Sequence, residues 1–461
     1  MSRLLWLLPV LAAGGLPVWA QSAPASGTIS TQEEFFDIYA EHPRLFLGAQ
    51  RLRLLRRERE RRTMRWLQFE TLVTGGAPMP EPGFAYALFY QVSGDVVTGQ
   101  KAVDWALSPR AADLRQLALV FDWCQPLLDD RDREALAAKL RARADELEKD
   151  SSLPARRSRV LAMAALAGHN SFRPSPFFEN LVKKWWRGQI APVLKAGRDA
   201  IPRDESFPLL EILHVVRDNL QIDLREDVPF WFKELPIYHL LSYYPASYPA
   251  SENEYRIPAG KRLGEPDTRR ALFSRAAELA MVAFETNAPE TQVLQGWLMH
   301  DRFLLRGTLG IPYEFLWANP YQPGLSYYHI PLVHHDPKFG RLFVRSSWEE
   351  DAVWLGYWDG QLQIFQDGSP ANLKLDASQP PLSFPDVLVA TAGLVAKCQI
   401  RLEEDQDLLI VGLKPHTRYE FEVEDLEMFE VKSDAGGIVH LKLPRKKMLD
   451  FRTREAAAGQ S

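Results

Sequence analysis

Cysteine is nearly absent from this 461-residue sequence, which carries only Cys124 and Cys398. Two cysteines make no disulfide scaffold. One falls in a helical region and the other in a strand region, so both read as buried thiols packing as small apolar groups. No CxxC, HExxH or calcium-loop spacing occurs, so no motif announces a metal or cofactor. Net charge is also scarce, because 55 Lys and Arg stand against 60 Asp and Glu, leaving −5. Without a basic field nothing would hold DNA or RNA by counterion release, and nucleic acid is excluded as a partner. After residue 20 no stretch approaches the ~20 apolar residues that a membrane span needs. Apolar residues, in contrast, reach 46%, with 24 Phe, 14 Tyr and 13 Trp. That is the balance of a folded globular chain, and tryptophans serve both as core and as platforms for sugar rings.

The first twenty residues stand apart. Arg3, the apolar run LLWLLPVLAAGG and the small-residue pattern VWA ending at Ala20 read as a secretory signal peptide. The expected location is therefore the periplasm, the cell envelope or the medium, with the mature chain beginning near Gln21 and no stable membrane span left after cleavage. Residues 21–44 form a lead-in.

From 45 to 320 the apolar period is helical. MRWLQFETLV, GQKAVDWAL, LRQLALVFDWCQPLL and DREALAAKLRARADELEKD succeed one another across short turns, with Asp130 or Asp132 placed to cap the last. Short connections favour antiparallel neighbours, so the pattern predicts a toroid of helix hairpins without an exact repeat. Between Tyr243 and Lys261 the helical signal lapses into a Pro- and Tyr-rich segment, expected as a long loop, on the surface or at a cleft mouth. From 321 to 455 the period becomes two. RLFVRSSW, AVWLGYWDG, QLQIFQDG, VLVATAGLVAKCQIRL, DLLIVGL and GIVHLKLP read as short strands of an antiparallel sandwich. The tail from Arg452 is expected to fray, with 456–461 disordered. The fold class is thus α+β multidomain: an N-terminal (α/α) toroid followed by a C-terminal antiparallel β-sandwich.

Three stretches carry a family likeness: HPRLFLGAQRLRLLR (His42 to Arg56), LALVFDWCQPLLDDRDREALAAKL (Leu117 to Leu140) and FVRSSWEEDAVWLGY (Phe343 to Tyr357). With the domain order, they resemble the heparinase II/III-like polysaccharide lyases and their alginate-lyase relatives. The resemblance implies β-elimination on a uronate-containing glycan without a cofactor. In that chemistry a group must neutralise the uronate carboxylate, a Tyr or His takes the C5 proton, and a Tyr or His protonates the leaving O4. The family's sandwich histidine is missing, because the matching stretch from Gly356 to Lys374 contains none. The likeness therefore also admits a carbohydrate-binding or structural protein that has lost catalysis.

Residue type and placement single out several side chains. His169 and Asn170 end a helix, as a pair suited to meet a carboxylate. His214 lies on a helix with Glu211 and Asp218 at neighbouring faces to orient it. Tyr238, beside His239, adds an acid/base candidate near the Tyr-rich segment. For substrate binding, Arg345 offers a planar fork to an acidic sugar, and Tyr328 and His335 belong to the densest Tyr/His cluster. Glu349 or Glu350 could equally pair Arg345 at the surface. Asp359 and Gln361 occupy the turn that lacks histidine and are expected to bind only, leaving His214 or His169 as the surviving acid/base. Metal binding by His334, His335 and Asp336 is the minor reading, because adjacent histidines chelate one ion poorly.

Overall fold

The computed structural model describes residues 34–39, 41–250, 253–302, 305–376, 378–402, 406–423, 428–443 and 446–456. Residues 1–20 (expected as a signal peptide), most of the lead-in and the tail beyond 456 lie outside them. Phe36 to the C-terminus forms one compact unit. None of its described helices is long and apolar enough to cross a membrane.

The helical part comprises α1 (Ala49–Glu60), α2 (Met64–Thr74), α3 (Pro82–Ser93), α4 (Val96–Leu107), α5 (Leu114–Trp123), α6 (Asp130–Glu146) and α7 (Leu153–Leu166). Next come α8 (Ser175–Glu179), a π-wound stretch Asn180–Ile190, α9 (Ala191–Lys195), α10 (Ser206–Leu220) and α11 (Pro229–Leu241). After a strand pair follow α12 (Thr268–Phe284), α13 (Pro289–His300) and α14 (Gly307–Trp317). Short polar side chains start many of them. Asp95, Asp113, Ser152 and Asp267 each accept a first-turn amide. Asp129 caps α6, one residue before the pair singled out in the sequence, by accepting from the Asp132 amide at 2.7 Å.

Packing sorts these helices into two layers. α3 touches α5, α5 touches α7, α7 touches α10, α10 touches α12, α12 touches α14, and α14 returns to α3. This closes the inner ring of a toroid. Its members are buried on almost every face, as α5 is along its whole length, so apolar residues lie all round them and the buried charged ones, such as Arg115, Glu211 and Glu278, are paired. The outer helices, such as α4 and α6, show the ordinary one-sided pattern.

Two of the three sequence stretches behind the family likeness meet in one lock. Asp122, fully buried at the end of α5, sits 2.5 Å from His42 Nδ1 and accepts the amides of Arg44 (3.0 Å) and Leu45 (2.8 Å). Its neighbour Trp123 donates its indole N–H to Leu45 O at 2.9 Å. The third stretch anchors the sheets, since Trp354 donates to Leu241 O at 2.8 Å. All three stretches therefore build architecture.

The segment read as a long loop is instead an antiparallel pair, β1 (Tyr243–Pro249) and β2 (Glu254–Pro258). Its prolines hide a strand period, yet a two-stranded ribbon is all edge and tolerates their missing donors.

The C-terminal part is a stack of sheets. The first contains β3 (Val333–Asp336), β4 (Arg341–Arg345), β5 (Trp354–Trp358), β6 (Gln361–Gln366) and β7 (Ser369–Leu373), all antiparallel. A middle sheet uses β8 (Leu382–Ser383), β9 (Val387–Thr391), β11 (Gln406–Val411) and β14 (Val439–Leu443). Between β9 and the outer strand β10 (Lys397–Leu402) a helical turn, α15 (Ala392–Val395), splits what reads as one long strand. The outer sheet completes with β12 (Arg418–Val423), β13 (Phe429–Lys432) and β15 (Lys446–Glu455). The sandwich thus has a third layer, and β9 pairs with β11 in parallel. The middle sheet is covered on both faces, which explains the unbroken apolar runs VLVA and LLIV. The tail expected to fray from Arg452 is tied down, because β15 pairs with β12 through Glu455.

Alternation aims the first sheet. Leu342 and Val344 face the middle sheet, whereas Phe343, Trp354, Trp358 and Phe365 face Leu241 and Tyr244 of the helical part. Arg341 and Arg345 flank Phe343 on that helical side.

Candidate functional site

Between this sheet and the end of the helical ring lies a cleft of about 1050 Å³. Its walls are the segment 197–204 ahead of α10, Tyr238 at the end of α11, the β1–β2 ribbon, the connection 260–267 and the sheet residues Arg341, Trp358 and Asp359. Trp358 and Phe365 give it an aromatic wall, and Tyr244 is fixed there by donating to Gln363 Oε1 at 3.0 Å.

Tyr238 is held between cations. The Arg341 guanidinium lies over its ring at 4.1 Å and that of Arg203 at 6.0 Å. Burial pushes its phenol above the ordinary value, and the two arginines oppose that shift without cancelling it. The phenol is therefore protonated at neutral pH. Arg341 also binds the carboxylate of Asp199, whose pKa is raised by burial against the pull of Arg341. Asp359, in the left-handed conformation at φ 50°, pairs with Lys261 at 2.9 Å on the rim. On the opposite rim Arg270 holds Asp204 at 2.5 Å and the carbonyls of Pro258 and Ala259 at 2.6 and 3.0 Å.

No family model and no curated sequence matches this chain. Several solved structures align with it, including these two. One, titled a glycoside hydrolase, is 9% identical across 81% of this chain and 71% of its own, with a TM-score of 0.30. The other, a GH127 β-arabinofuranosidase, is 10% identical across 91% and 80%, with a TM-score of 0.29.

The sequence candidates do not converge on one place. Of the four acid/base candidates, Tyr238 alone lines the cleft. His169 stands 3.2 Å from Glu134 of α6, and Asn170 donates to both oxygens of that carboxylate at 2.9 and 3.1 Å. The Asn170 hydrogen bonds and the His169 contact tie the turn after α7 to an outer helix. His214 is buried against Trp317 and Phe284, with Nε2 3.1 Å from Ala280 O, and lines a different pocket. Glu211 does not orient it, being held by Arg115 and Arg157 instead. His239 points inward to Glu278 and Ser206, so it and Tyr238 face different surroundings.

Among the binding candidates, Asp359 lines the cleft rim. Gln361 is spent on Lys261 O and Asn372 at 3.1 and 2.8 Å. Arg345 and Tyr328 share a smaller pocket of about 240 Å³ behind the β1–β2 ribbon. There Arg345 lies over Trp348 at 4.9 Å with no ion pair to Glu349 or Glu350 among the described residues, and burial lowers its pKa to about 10. His334 and His335 belong to β3, approaching Glu234 (3.7 Å) and Asp434 (2.7 Å) respectively. Strand alternation separates them, which disfavours a shared ion. Cys398 is half-exposed and only Cys124 is buried, correcting the expectation of two buried thiols.

Sequence reasoning missed Asp199, Arg203, Lys261 and Arg341. A signal for Arg341 existed, since it precedes Phe343 by two in a strand and must share its face. Asp199 and Lys261 lie in connections without a period, where nothing in the sequence aims a side chain.

Proposed function

We propose that this chain is an exported enzyme that opens an acidic, uronate-containing glycan by β-elimination in the cleft between ring and sheet. The observation that supports it most is Tyr238, a neutral phenol on the cleft wall flanked by Arg341 and Arg203 and close to the Asp199 carboxylate that Arg341 holds. A sugar carboxylate entering there meets the cations that offset charge developing at C5. Asp199, its basicity raised by burial, takes the C5 proton. The electron pair left on C5 forms the C4–C5 double bond, the C4–O4 bond breaks, and Tyr238 gives its proton to O4. Trp358 and Phe365 supply faces for the flanking sugars. Export rests on the segment Met1 to Ala20, and N-terminal sequencing of the exported protein should begin near Gln21.

Hydrolysis is the second reading, favoured by Asp199 and Asp359 lining one cleft as a carboxylate pair. A panel of alginate, heparan-type and other uronate polymers separates the two. Elimination generates an unsaturated uronate absorbing in the near ultraviolet. New reducing ends without that absorbance would establish hydrolysis, and binding without either would establish a non-catalytic carbohydrate-binding protein.

A further inference from the structure

A second pocket, of about 780 Å³, opens at the opposite end of α10 and α12 from the cleft and shares no lining residue with it. α10 runs for 15 residues, so the two lie roughly 20 Å apart along it. The start of α1 lines this pocket. No side chain caps its first turn, that turn contains no acidic residue, and a Cβ added at Gly48 would meet nothing within 4 Å. Arg51, Arg53 and Arg57 of α1 and Arg217 of α10 also line it, against a single carboxylate, Asp218. That carboxylate is already engaged, 2.9 Å from Arg217 Nε. Arg51 is committed to Leu316 O at 2.8 Å, whereas Arg53 and Arg57 are exposed and have no ion pair among the described residues. The positive charge registers on the neighbours. Burial lowers the pKa of Arg51 to about 10, with Arg217 adding to the shift and Asp218 opposing it, and His214 is held neutral by burial and by Arg51 and Arg217. First-turn amides and several guanidinium groups converging on one concavity form an anion site.

An independent feature indicates what else the ligand carries. Gln322, 7% exposed, lines the same pocket. Its Nε2 donates to Thr286 O at 3.0 Å, which fixes the amide so that Oε1 must accept, yet among the described residues no group donates to that buried oxygen. A buried acceptor without a donor is costly, and a ligand hydroxyl would satisfy it.

We propose that this pocket binds a sugar bearing a phosphate or sulfate ester. The oxyanion sits on the first-turn amides of α1 with Arg53 and Arg57, and an adjacent hydroxyl donates to Gln322 Oε1. The site is independent of the cleft and of the chemistry proposed there. The test is titration calorimetry of the full chain, at fixed low ionic strength, with a hexose 6-phosphate, a hexose 6-sulfate, inorganic phosphate and the unmodified hexose. At least one ester should bind, about tenfold or more tighter than inorganic phosphate, and the unmodified hexose should not bind. Whichever ester binds tighter identifies the anion. The exposed double variant Arg53→Gln/Arg57→Gln should weaken ester binding about tenfold or more, and Gln322→Leu should bring the ester down to the level of inorganic phosphate. No binding of either ester, or affinity unchanged in the double variant, overturns the proposal.

Discussion

The helical ring and the cleft beside it use the same side-chain types in opposite ways. Inside the ring Glu278 is fully buried and engaged by Arg203 (3.1 Å), Arg275 (3.4 Å) and His239 (3.4 Å). A similar knot joins Glu211 to Arg115 and Arg157 at 2.7 and 3.1 Å. In the cleft, Arg341, Asp199 and Tyr238 make comparable contacts, but on a wall that a ligand can reach. Arg203 belongs to both, bonding Glu278 on one side and facing the Tyr238 ring on the other. Charge and imidazole by themselves therefore do not mark a working site; access does.

The comparison breaks most visibly if a sealed carboxylate proves dispensable. Glu278→Ala leaves Arg203 and Arg275 buried beside an unpartnered space, and should cost about 3–5 kcal/mol of stability in denaturant unfolding. A loss below ~1 kcal/mol would mean that water reaches the knot and that it is not sealed.

Acid sharpens the same contrast. Burial first, and then Arg203, hold the pKa of His239 at about 4, below the 6.5 of an unfolded histidine. Above pH 6.5 both states are neutral and the histidine contributes no pH dependence. As pH falls from 6.5 towards 4 the unfolded state takes up the proton first, so stability declines, on the order of 2–3 kcal/mol for this group. His214, lowered in the same direction, adds to the slope. Unfolding curves at pH 7 and pH 5 measure it, and His239→Gln should flatten it. An unchanged slope in that variant would show that the ring interior admits protons freely.

The rim should respond least. Lys261 and Asp359 are both well exposed, so Lys261→Ala should change stability by no more than ~1 kcal/mol in the same unfolding measurement. A larger loss would place this pair with the sealed knots.

Much of the architecture was legible because period is a local property. The change from helical to strand period in the sequence reflects the real succession of ring and sheets, and Leu342, Phe343 and Val344 announce their opposite faces by alternation. Three things escaped. The prolines of the β1–β2 ribbon mask its pairing, the parallel pairing of β9 with β11 leaves no local trace, and Ala392 to Val395 turns within an apolar run. The site was harder for a different reason. The inner-ring helix α10 is buried on almost every face, so periodicity cannot say whether His214 looks into a cavity or into the core, whereas Tyr238 sits near the last turn of α11, where the helical part meets the sheet. The Asp-Trp and Arg-Leu stretches that carry the family resemblance lock Asp122 onto the chain at Arg44 and Leu45.

The most direct test of the cleft as the proposed seat of chemistry is the turnover of Tyr238→Phe against wild type and His169→Ala on whichever uronate polymer proves active. Phenylalanine keeps the ring beneath Arg341 and removes only the hydroxyl, so stability should stay within about 0.5 kcal/mol. Turnover should fall by about 10²–10⁴, the contribution of a general acid, while His169→Ala stays near wild type. Wild-type turnover in Tyr238→Phe, with its loss in His169→Ala, would contradict the account and move the chemistry to the turn after α7.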